Sequence, residues 1–298
     1  MAGRRACGDA CFGARRCGVG SREGRSVRRV ALVVAYDGRA FAGFQRQPGR
    51  RTVQGALEAA LLDWFGHPVP VVGAGRTDSG VHALGQVVHL DLERPPGPTA
   101  LVGGLNVRLP PDVRVLDAAP VSADFHARYG ARAKTYVYRM VLRSVLYPHD
   151  RGLATAVPER LDVEAMAEAA ALFRGRHDFA AFSRAGGSAR TTVRTLFSVD
   201  LVRRGSELFL WLRGDGFLYA MARQIAGALI DVGRGRLSLA AIRRRLAGDR
   251  SAPGAATAPP DGLYLFRVEY PPEQLLTPEP AVGFPRPPGL LEARPRAH

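Results

Sequence analysis

The residues best suited to chemistry lie together in one glycine-rich stretch, Gly73–Asp91. It holds an acid, Asp78, an arginine, Arg76, and the hydroxyls of Thr77 and Ser79. Apolar residues lead into the loop and alternate after it, which predicts a strand on either side. A loop of this kind holds a reactive side chain in a fixed place, with backbone room beside it. We therefore expect Asp78 to carry the chemistry, although an aspartate beside glycine is also a common turn residue.

The same stretch does not fit three other kinds of site. Its glycines lack the G-x-G-x-x-G spacing of a dinucleotide loop, because Asp78 occupies the third glycine position. Ser79 lacks the preceding glycine of a G-x-S-x-G nucleophile. His82 and His89 lie one in a loop and one on a strand, which favours structural histidines over a metal pair. The sequence predicts no metal site.

A second charged residue in need of a partner is Arg223. The apolar residues of 218–232 repeat at helical spacing and predict a helix made for burial, with Arg223 away from its apolar stripe. A buried guanidinium needs a carboxylate, because leaving it unpaired costs on the order of several kcal/mol. Asp215 and Asp231 are the acids nearest in sequence, so the residues alone leave its partner open.

The elements that must position these residues follow one order twice. The first half is predicted to hold a strand at 30–36, a helix after Thr52, strands at 69–74 and 86–92, a helix after Pro98 and a strand around 113–115. The second half is predicted to hold a strand at 132–142, a helix after Asp162, a hairpin of strands at 193–203 and 207–213, helices at 218–232 and 239–246, and a strand at 263–270.

This repeated order favours one fold class. We predict an α+β protein of two ferredoxin-like (βαββαβ) halves, residues 30–124 and 125–270. Their sheets are expected to join and to leave an active-site cleft between the halves, because ligands often bind at such boundaries. A disordered basic tail over 1–29 and an extended, poorly ordered proline-rich tail over 271–298 are expected to flank them.

The charge of the chain favours a polyanionic partner. The 298 residues carry a net charge of +15, and Lys134 is the single lysine among 42 cations. Residues 1–29 hold eight arginines against two acids, yet the rest of the chain is also basic. An ordinary basic protein remains the alternative, but charge spread over the folded part is typical of nucleic-acid binding.

Cysteines and hydropathy bear on the compartment. All three cysteines lie within 1–29 without C-x-x-C spacing, so neither a disulfide framework nor a zinc site is expected. No apolar run reaches the roughly 18–20 residues of a membrane span. The first residues also lack the apolar region of a signal peptide. We expect a cytoplasmic protein.

From about Val30 to Tyr270 the chain resembles the TruA family of tRNA pseudouridine synthases. Residues 75–82, G-R-T-D-S-G-V-H, are similar to the family signature G-R-T-D-x-G-V-H. Other family-like motifs follow in the family's order: Y-D-G at 36–38, F-x-G-F-Q-x-Q at 41–47, D-F-H-A-R at 124–128, H-D-F at 177–179, G-F-L-Y-x-M-x-R at 216–223 and A-P-x-x-G-L-Y at 258–264. Ala220 and Ala222 depart from the family pattern, which predicts altered packing there.

The resemblance implies an isomerase that converts uridine to pseudouridine in the tRNA anticodon stem-loop, at positions 38, 39 and 40, without a cofactor. It also implies a homodimer that binds tRNA and no membrane. One alternative is a non-catalytic RNA-binding protein of the same fold, which would leave Asp78 unexplained. Another is a hydrolase with Asp78 as nucleophile, which would need a second carboxylate that the loop lacks.

Three site residues follow from the same motifs. The resemblance implies that Asp78 is the nucleophile or general base, and that Arg223 is the cation paired with it. It implies that Tyr136 stacks on the target base, with its hydroxyl near the C5 proton that must leave. Tyr138 shares the strand face of Tyr136, and on residues alone both could belong to the core.

The remaining expected contacts are with the substrate. Leu263 and Leu265 are expected to wall the uracil pocket. A base in a stem must be flipped out, at a cost of about a few kcal/mol. Arg76 is expected to hold the space that the base vacates, or a phosphate.

Overall fold

The computed structural model describes residues 27–287, except 159, 188, 276, 279, 281 and 282. Most of the predicted basic tail, residues 1–26, lies outside the described residues. The strands are β1 (Val27–Tyr36), β2 (Val72–Gly73), β3 (His82–Glu93), β4 (Val113–Pro120), β5 (Ala133–Leu142), β6 (Thr155–Val157), β7 (Gly175–Asp178), β8 (Val193–Arg204), β9 (Glu207–Gly214) and β10 (Leu263–Glu269). The helices are α1 (Val53–Phe65), α2 (Pro98–Arg108), α3 (Val163–Ala171), α4 (Met221–Gly233) and α5 (Leu239–Leu246).

The strands form one sheet, as predicted, and with the helices they make a mixed α and β fold. The order across the sheet is β4-β1-β3-β10-β5-β9-β8-β7, while β2 pairs with β3 and β6 pairs with β5. The first three strands of this order come from the first half of the chain, and the last five come from the second.

The last strand, β10, connects the two parts of the sheet. It pairs in parallel with β3 at two positions, Tyr264 with His82 and Leu265 with Ala83. On its other side it runs antiparallel to β5, from Leu263 to Glu269. The strand that the chain reaches last therefore lies in the centre of the sheet.

Several elements differ from the prediction: β3 begins at His82, so this histidine lies on a strand and not in a loop, and β6 and β7 are additional strands. Three further differences have local causes. Strand β1 begins at Val27, inside the predicted tail, because Arg29 extends the pairing with β3 and bonds Asp91 at 2.8 Å. Only Val72–Gly73 of the strand predicted at 69–74 is paired, since prolines 68 and 70 lack the N–H that a sheet requires. Helix α4 begins at Met221 and not at 218, because Ala220 has a left-handed φ of 58°.

Helices α1 and α3 begin where their caps predict. The Thr52 hydroxyl accepts a hydrogen bond from the Gly55 N–H, and the Asp162 carboxylate accepts one from the Ala165 N–H. The longest helices have 13 residues. In the part of the chain that the structure describes, no helix is long and apolar enough to cross a membrane.

Apolar residues pack against both faces of the sheet. The larger cluster joins the helices to one face, and a smaller cluster on β5, β9 and β10 includes Trp211, Phe209 and Tyr264. Phe284 packs against the smaller cluster, and the Trp211 indole donates to the Pro285 carbonyl at 3.0 Å. The described residues 283–287 have no regular secondary structure and lie against the sheet.

Candidate active site

Asp78 and Arg223 meet across the two halves of the chain. The Arg223 Nη1 donates to the Asp78 Oδ2 at 3.1 Å. The Asp78 side chain is 19% exposed and the Arg223 side chain is 15% exposed, so the pair is shielded but accessible. Among the described residues no other group bonds this carboxylate. Its Oδ1 is therefore available to a reacting atom.

The residues before Asp78 are held by buried groups from several elements. The Lys134 ammonium donates to the Ala74 carbonyl at 2.8 Å, and the Gln86 amide donates to the Gly75 carbonyl at 2.9 Å. The Tyr36 hydroxyl and the Thr77 hydroxyl share a hydrogen bond of 2.9 Å. Because these contacts hold three of the four residues before Asp78, the Asp78 side chain extends from a rigid backbone.

Gly43 shows how closely the preceding loop approaches this backbone. It has a φ of 103°, and a Cβ at its position would lie 2.7 Å from the Thr77 carbonyl oxygen and 3.3 Å from the Asp78 carbonyl carbon. The Phe44 N–H donates to the same Thr77 carbonyl at 3.1 Å. A side chain at residue 43 would therefore push the Asp78 loop away.

The position of Arg223 is set by the segment before β10. The Arg223 Nε donates to the Ala258 carbonyl at 2.8 Å, and the Ala258 N–H donates to the Arg223 carbonyl at 3.1 Å. Of the two sequence-near alternatives, Asp231 forms an ion pair with Arg234, and Asp215 accepts from the Thr195 N–H. Neither takes the place of Asp78.

Helix α4 carries Arg223 close to its partner through two tight local features. Gly227 lets the segment approach, because a Cβ there would lie 2.0 Å from the Ala256 carbonyl oxygen. Ala220, one of the departures from the family pattern, precedes the helix with a left-handed φ. A non-glycine residue in this conformation costs on the order of 1 kcal/mol. The departure thus lies at a strained residue three positions before Arg223.

Tyr136 lies on β5 and is 7% exposed. Its ring meets Phe217 edge to face, with centroids 4.8 Å apart. Burial raises the pKa of the Tyr136 phenol, and the nearby Tyr36 and Asp78 add to the rise. Among the described residues its hydroxyl has no hydrogen-bond partner. Tyr136 is thus a neutral donor close to Asp78.

Tyr138 differs from Tyr136, although both face the same side of the sheet. It is fully buried, and its hydroxyl bonds the Thr155 hydroxyl at 2.7 Å and the Pro259 carbonyl at 2.9 Å. These bonds use the hydroxyl for packing the segment before β10. The core interpretation therefore applies to Tyr138.

The other expected contact residues lie on β10 and on the loop that carries Asp78. Leu265 pairs with Tyr136 between β10 and β5, and Leu263 pairs with Tyr138. Both leucines are buried. Arg76 is exposed, two residues before Asp78 on the same loop. Arg76 makes no ion pair or hydrogen bond with another described residue.

The two histidines of the central stretch are bonded to backbone groups. The His82 Nδ1 accepts from the Gly38 N–H at 3.1 Å, and its Nε2 donates to the Gly152 carbonyl at 2.9 Å. The His89 Nδ1 accepts from the Ala127 N–H at 3.1 Å. The part of the chain that the structure describes holds no group of three or more potential metal ligands.

Because of His82 and His89, we expect the free energy of unfolding to be lower in mild acid. Burial lowers the pKa of His82, and burial with the nearby Arg29 and His126 lowers the pKa of His89 to about 4. The unfolded chain takes up these protons below about pH 6.5, whereas the fold resists them, so the free energy of unfolding must fall between pH 6.5 and 4. Urea titrations at pH 7.5, 6.0 and 5.0 measure it.

The matched variants are His89→Gln and His149→Gln, because His149 is exposed. His89→Gln should flatten the dependence on pH, and His149→Gln should leave it unchanged. An unfolding free energy that is constant over this range in the unmodified protein would contradict the prediction.

Sequence reasoning missed several supports of the site. Tyr36 and Phe217 lie inside family-like motifs, at 36–38 and 216–223, which could have marked them as site residues. Gln86 lies outside these motifs, and nothing in its local pattern marks it. Lys134 carried one signal: it is the single lysine of the chain.

Comparisons with known proteins give the family. A family model described as tRNA pseudouridine synthase matches residues 32–130 and 169–271. A tRNA pseudouridine synthase A of Geobacter sp. (strain M21) is 44% identical over 82% of this chain and 100% of that protein. Proteins of the same name from Ralstonia nicotianae and Methylacidiphilum infernorum are 44% and 45% identical, over 86% and 82% of this chain and 94% and 96% of their own lengths. The family model matches more than half of the chain and the relatives match over nearly their full lengths, so this chain belongs to the tRNA pseudouridine synthase family.

Proposed function

We propose that the protein is an isomerase that converts uridine to pseudouridine in tRNA, at positions 38, 39 and 40 of the anticodon stem-loop. The single observation that carries the proposal is the shielded Asp78–Arg223 ion pair beside Tyr136, in a chain of this family. A protein that only binds RNA has no need of a carboxylate held in this way.

The reaction requires one bond exchange and no net oxidation. The C1′–N1 bond of uridine breaks, a C1′–C5 bond forms, and the C5 proton is lost while N1 gains one. Asp78 starts the cleavage, either by attack on C1′ or by removal of a ribose proton. Arg223 keeps the carboxylate charged and aimed. Tyr136 stacks on the detached base, and its hydroxyl lies near the C5 proton.

The remaining contacts hold a flipped nucleotide. Leu263 and Leu265 wall the uracil pocket, next to Tyr138 and Tyr136 in the sheet. Arg76 fills the space that the flipped base leaves in the stem, or binds a phosphate, because its guanidinium is exposed only two residues before Asp78. The net charge of +15 supplies the salt-dependent affinity for the tRNA backbone.

The finer architecture also belongs to this proposal. Two ferredoxin-like halves, 30–124 and 125–270, are supported by the strand order, because β4-β1-β3 with β2 and β10-β5-β9-β8 both follow the order expected of a βαββαβ unit. We further propose a homodimer in the cytoplasm that works without a metal or other cofactor.

The test is direct mapping of the product. We expect the purified protein, incubated with an unmodified tRNA transcript carrying uridines at 38 to 40, to form pseudouridine there. Carbodiimide adducts read by primer extension locate the modified base. Transcripts with cytidine at these positions serve as the control. Binding of the transcript without any new pseudouridine would refute the isomerase and favour the RNA-binding alternative.

A further inference from the structure

The Asp78 loop is tied to the second half of the chain by a residue other than Arg223. The Lys134 Nζ donates to the Ala74 carbonyl at 2.8 Å, four residues before Asp78. A Cβ at Gly75 would lie 3.3 Å from the same Nζ, so the ammonium rests against two consecutive backbone units. Ala74 itself is fully buried. The bond therefore fixes the backbone at the start of the Asp78 loop.

Apart from the bond from Lys134, the hydrogen bonds to residues 74–77 come from the first half. Tyr36, Phe44 and Gln86 bond Thr77 and Gly75. These contacts hold the shape of the loop, whereas β10 pairs with the first half only after the loop, at His82 and Ala83. Lys134 extends from β5 and therefore links the start of the loop directly to the strand that carries Tyr136.

Lys134 stands two residues before Tyr136 on β5, so both side chains point to the same face of the sheet. One strand thus carries the ring proposed to hold the base and the group that anchors the loop with the attacking carboxylate. A shift of about 1 Å between such groups can cost on the order of a hundredfold in rate.

The surroundings of Lys134 are unfavourable for a cation. Burial, with the nearby Arg128 and Arg194, lowers the pKa of Lys134 to about 8. Among the described residues it forms no ion pair. The chain uses arginine at 41 of its 42 cationic positions and lysine only here. A compact ammonium can reach one carbonyl in a narrow space, whereas a guanidinium is larger and cannot lose its charge.

We propose that Lys134 is a positioning residue that sets the distance between the Asp78 loop and Tyr136 through its bond to the Ala74 carbonyl. This inference rests on the proposed function. It predicts that Lys134 affects the reaction of bound tRNA and not the binding of tRNA.

The test compares Lys134→Met with Arg132→Met, which removes an exposed positive charge two residues earlier. In single-turnover reactions at saturating enzyme, Lys134→Met should lower the rate constant about 10- to 100-fold while the tRNA Kd stays within about threefold. The rate constant of Lys134→Arg should lie between those of Lys134→Met and the unmodified protein, because arginine keeps a hydrogen-bond donor but with the wrong shape. Arg132→Met should change only the Kd.

A rate constant of Lys134→Met within about twofold of the unmodified protein would overturn the proposal. A higher Kd with an unchanged rate constant would also overturn the proposal. If the unmodified protein forms no pseudouridine, the proposed function fails, and Lys134 is then judged by the spectroscopic measurement alone.

That measurement does not need a folded variant or activity. Because the chain has a single lysine, lysine labelled with ¹⁵N gives one side-chain NMR signal. We expect this signal in the unmodified protein to titrate near pH 8 and to show slowed proton exchange, as a buried, bonded ammonium should. Titration near pH 10.4, as for a free lysine, would overturn the anchoring role.

Discussion

Asp78→Asn should abolish pseudouridine formation, with a fall in the single-turnover rate of about 10⁴-fold or more. The carboxylate is the one acidic group that the Asp78 loop presents beside Tyr136, and an amide can neither attack C1′ nor take a ribose proton. The tRNA Kd should stay within about threefold, because affinity comes mainly from phosphate contacts made elsewhere. The rate is measured by adduct mapping and the Kd by filter binding.

The matched control is Asp112→Asn. Asp112 also forms a close ion pair with an arginine, Arg51, at 2.7 Å, so the substitution removes the same charge from a similar contact. A partly exposed ion pair contributes little to stability, so this variant should stay folded. Its rate should therefore stay within about threefold of that of the unmodified protein. Substantial turnover by Asp78→Asn would remove the proposed chemistry altogether.

Loss of Arg223 should have the second largest effect. Arg223→Met should lower the single-turnover rate about a thousandfold, because the Asp78 carboxylate loses the donor that keeps it aimed. Arg223→Lys should still lose about a hundredfold. A lysine has no planar fork with which to bond the Ala258 carbonyl and the Asp78 carboxylate together, as Arg223 does.

The control for this prediction lies at the end of the same helix, at its C-cap residue. Arg234→Met breaks the ion pair with Asp231 at the end of α4 and should leave the rate unchanged. The Tm of each variant, measured by thermal unfolding, distinguishes a loss of the fold from a loss of the orientation of the Asp78 carboxylate. If Arg223→Lys turned over at the normal rate, the paired geometry would have no role in the reaction.

Local patterns in the sequence predict much of this fold. The apolar periodicity and the caps at Thr52 and Asp162 predict α1 and α3, and the alternation in 132–142 predicts β5. The failures have local causes too: two prolines shorten β2, and the left-handed Ala220 delays the start of α4. Such effects depend on single residues that periodicity averages away.

The contacts between the site residues, unlike the helices and strands, could not be predicted from local patterns. Asp78 and Arg223 are 145 residues apart, and periodicity alone left Asp215 and Asp231 as equal partners. Only the motif resemblance favoured Asp78, and the ion pair at 3.1 Å agrees with it. The bond from Lys134 to Ala74 could not be predicted in this way, because it joins a strand residue to a backbone carbonyl with no side-chain signature.

The central place of β10 has a consequence for biosynthesis. A nascent chain that has not yet emerged beyond residue 262 lacks the strand that pairs with both β3 and β5. Until then each of these strands presents an open edge, which invites pairing with other chains. The segment that orients Arg223, around Ala258, also leaves the ribosome only then. We therefore expect products that are truncated before β10 to lack activity and to be prone to aggregation.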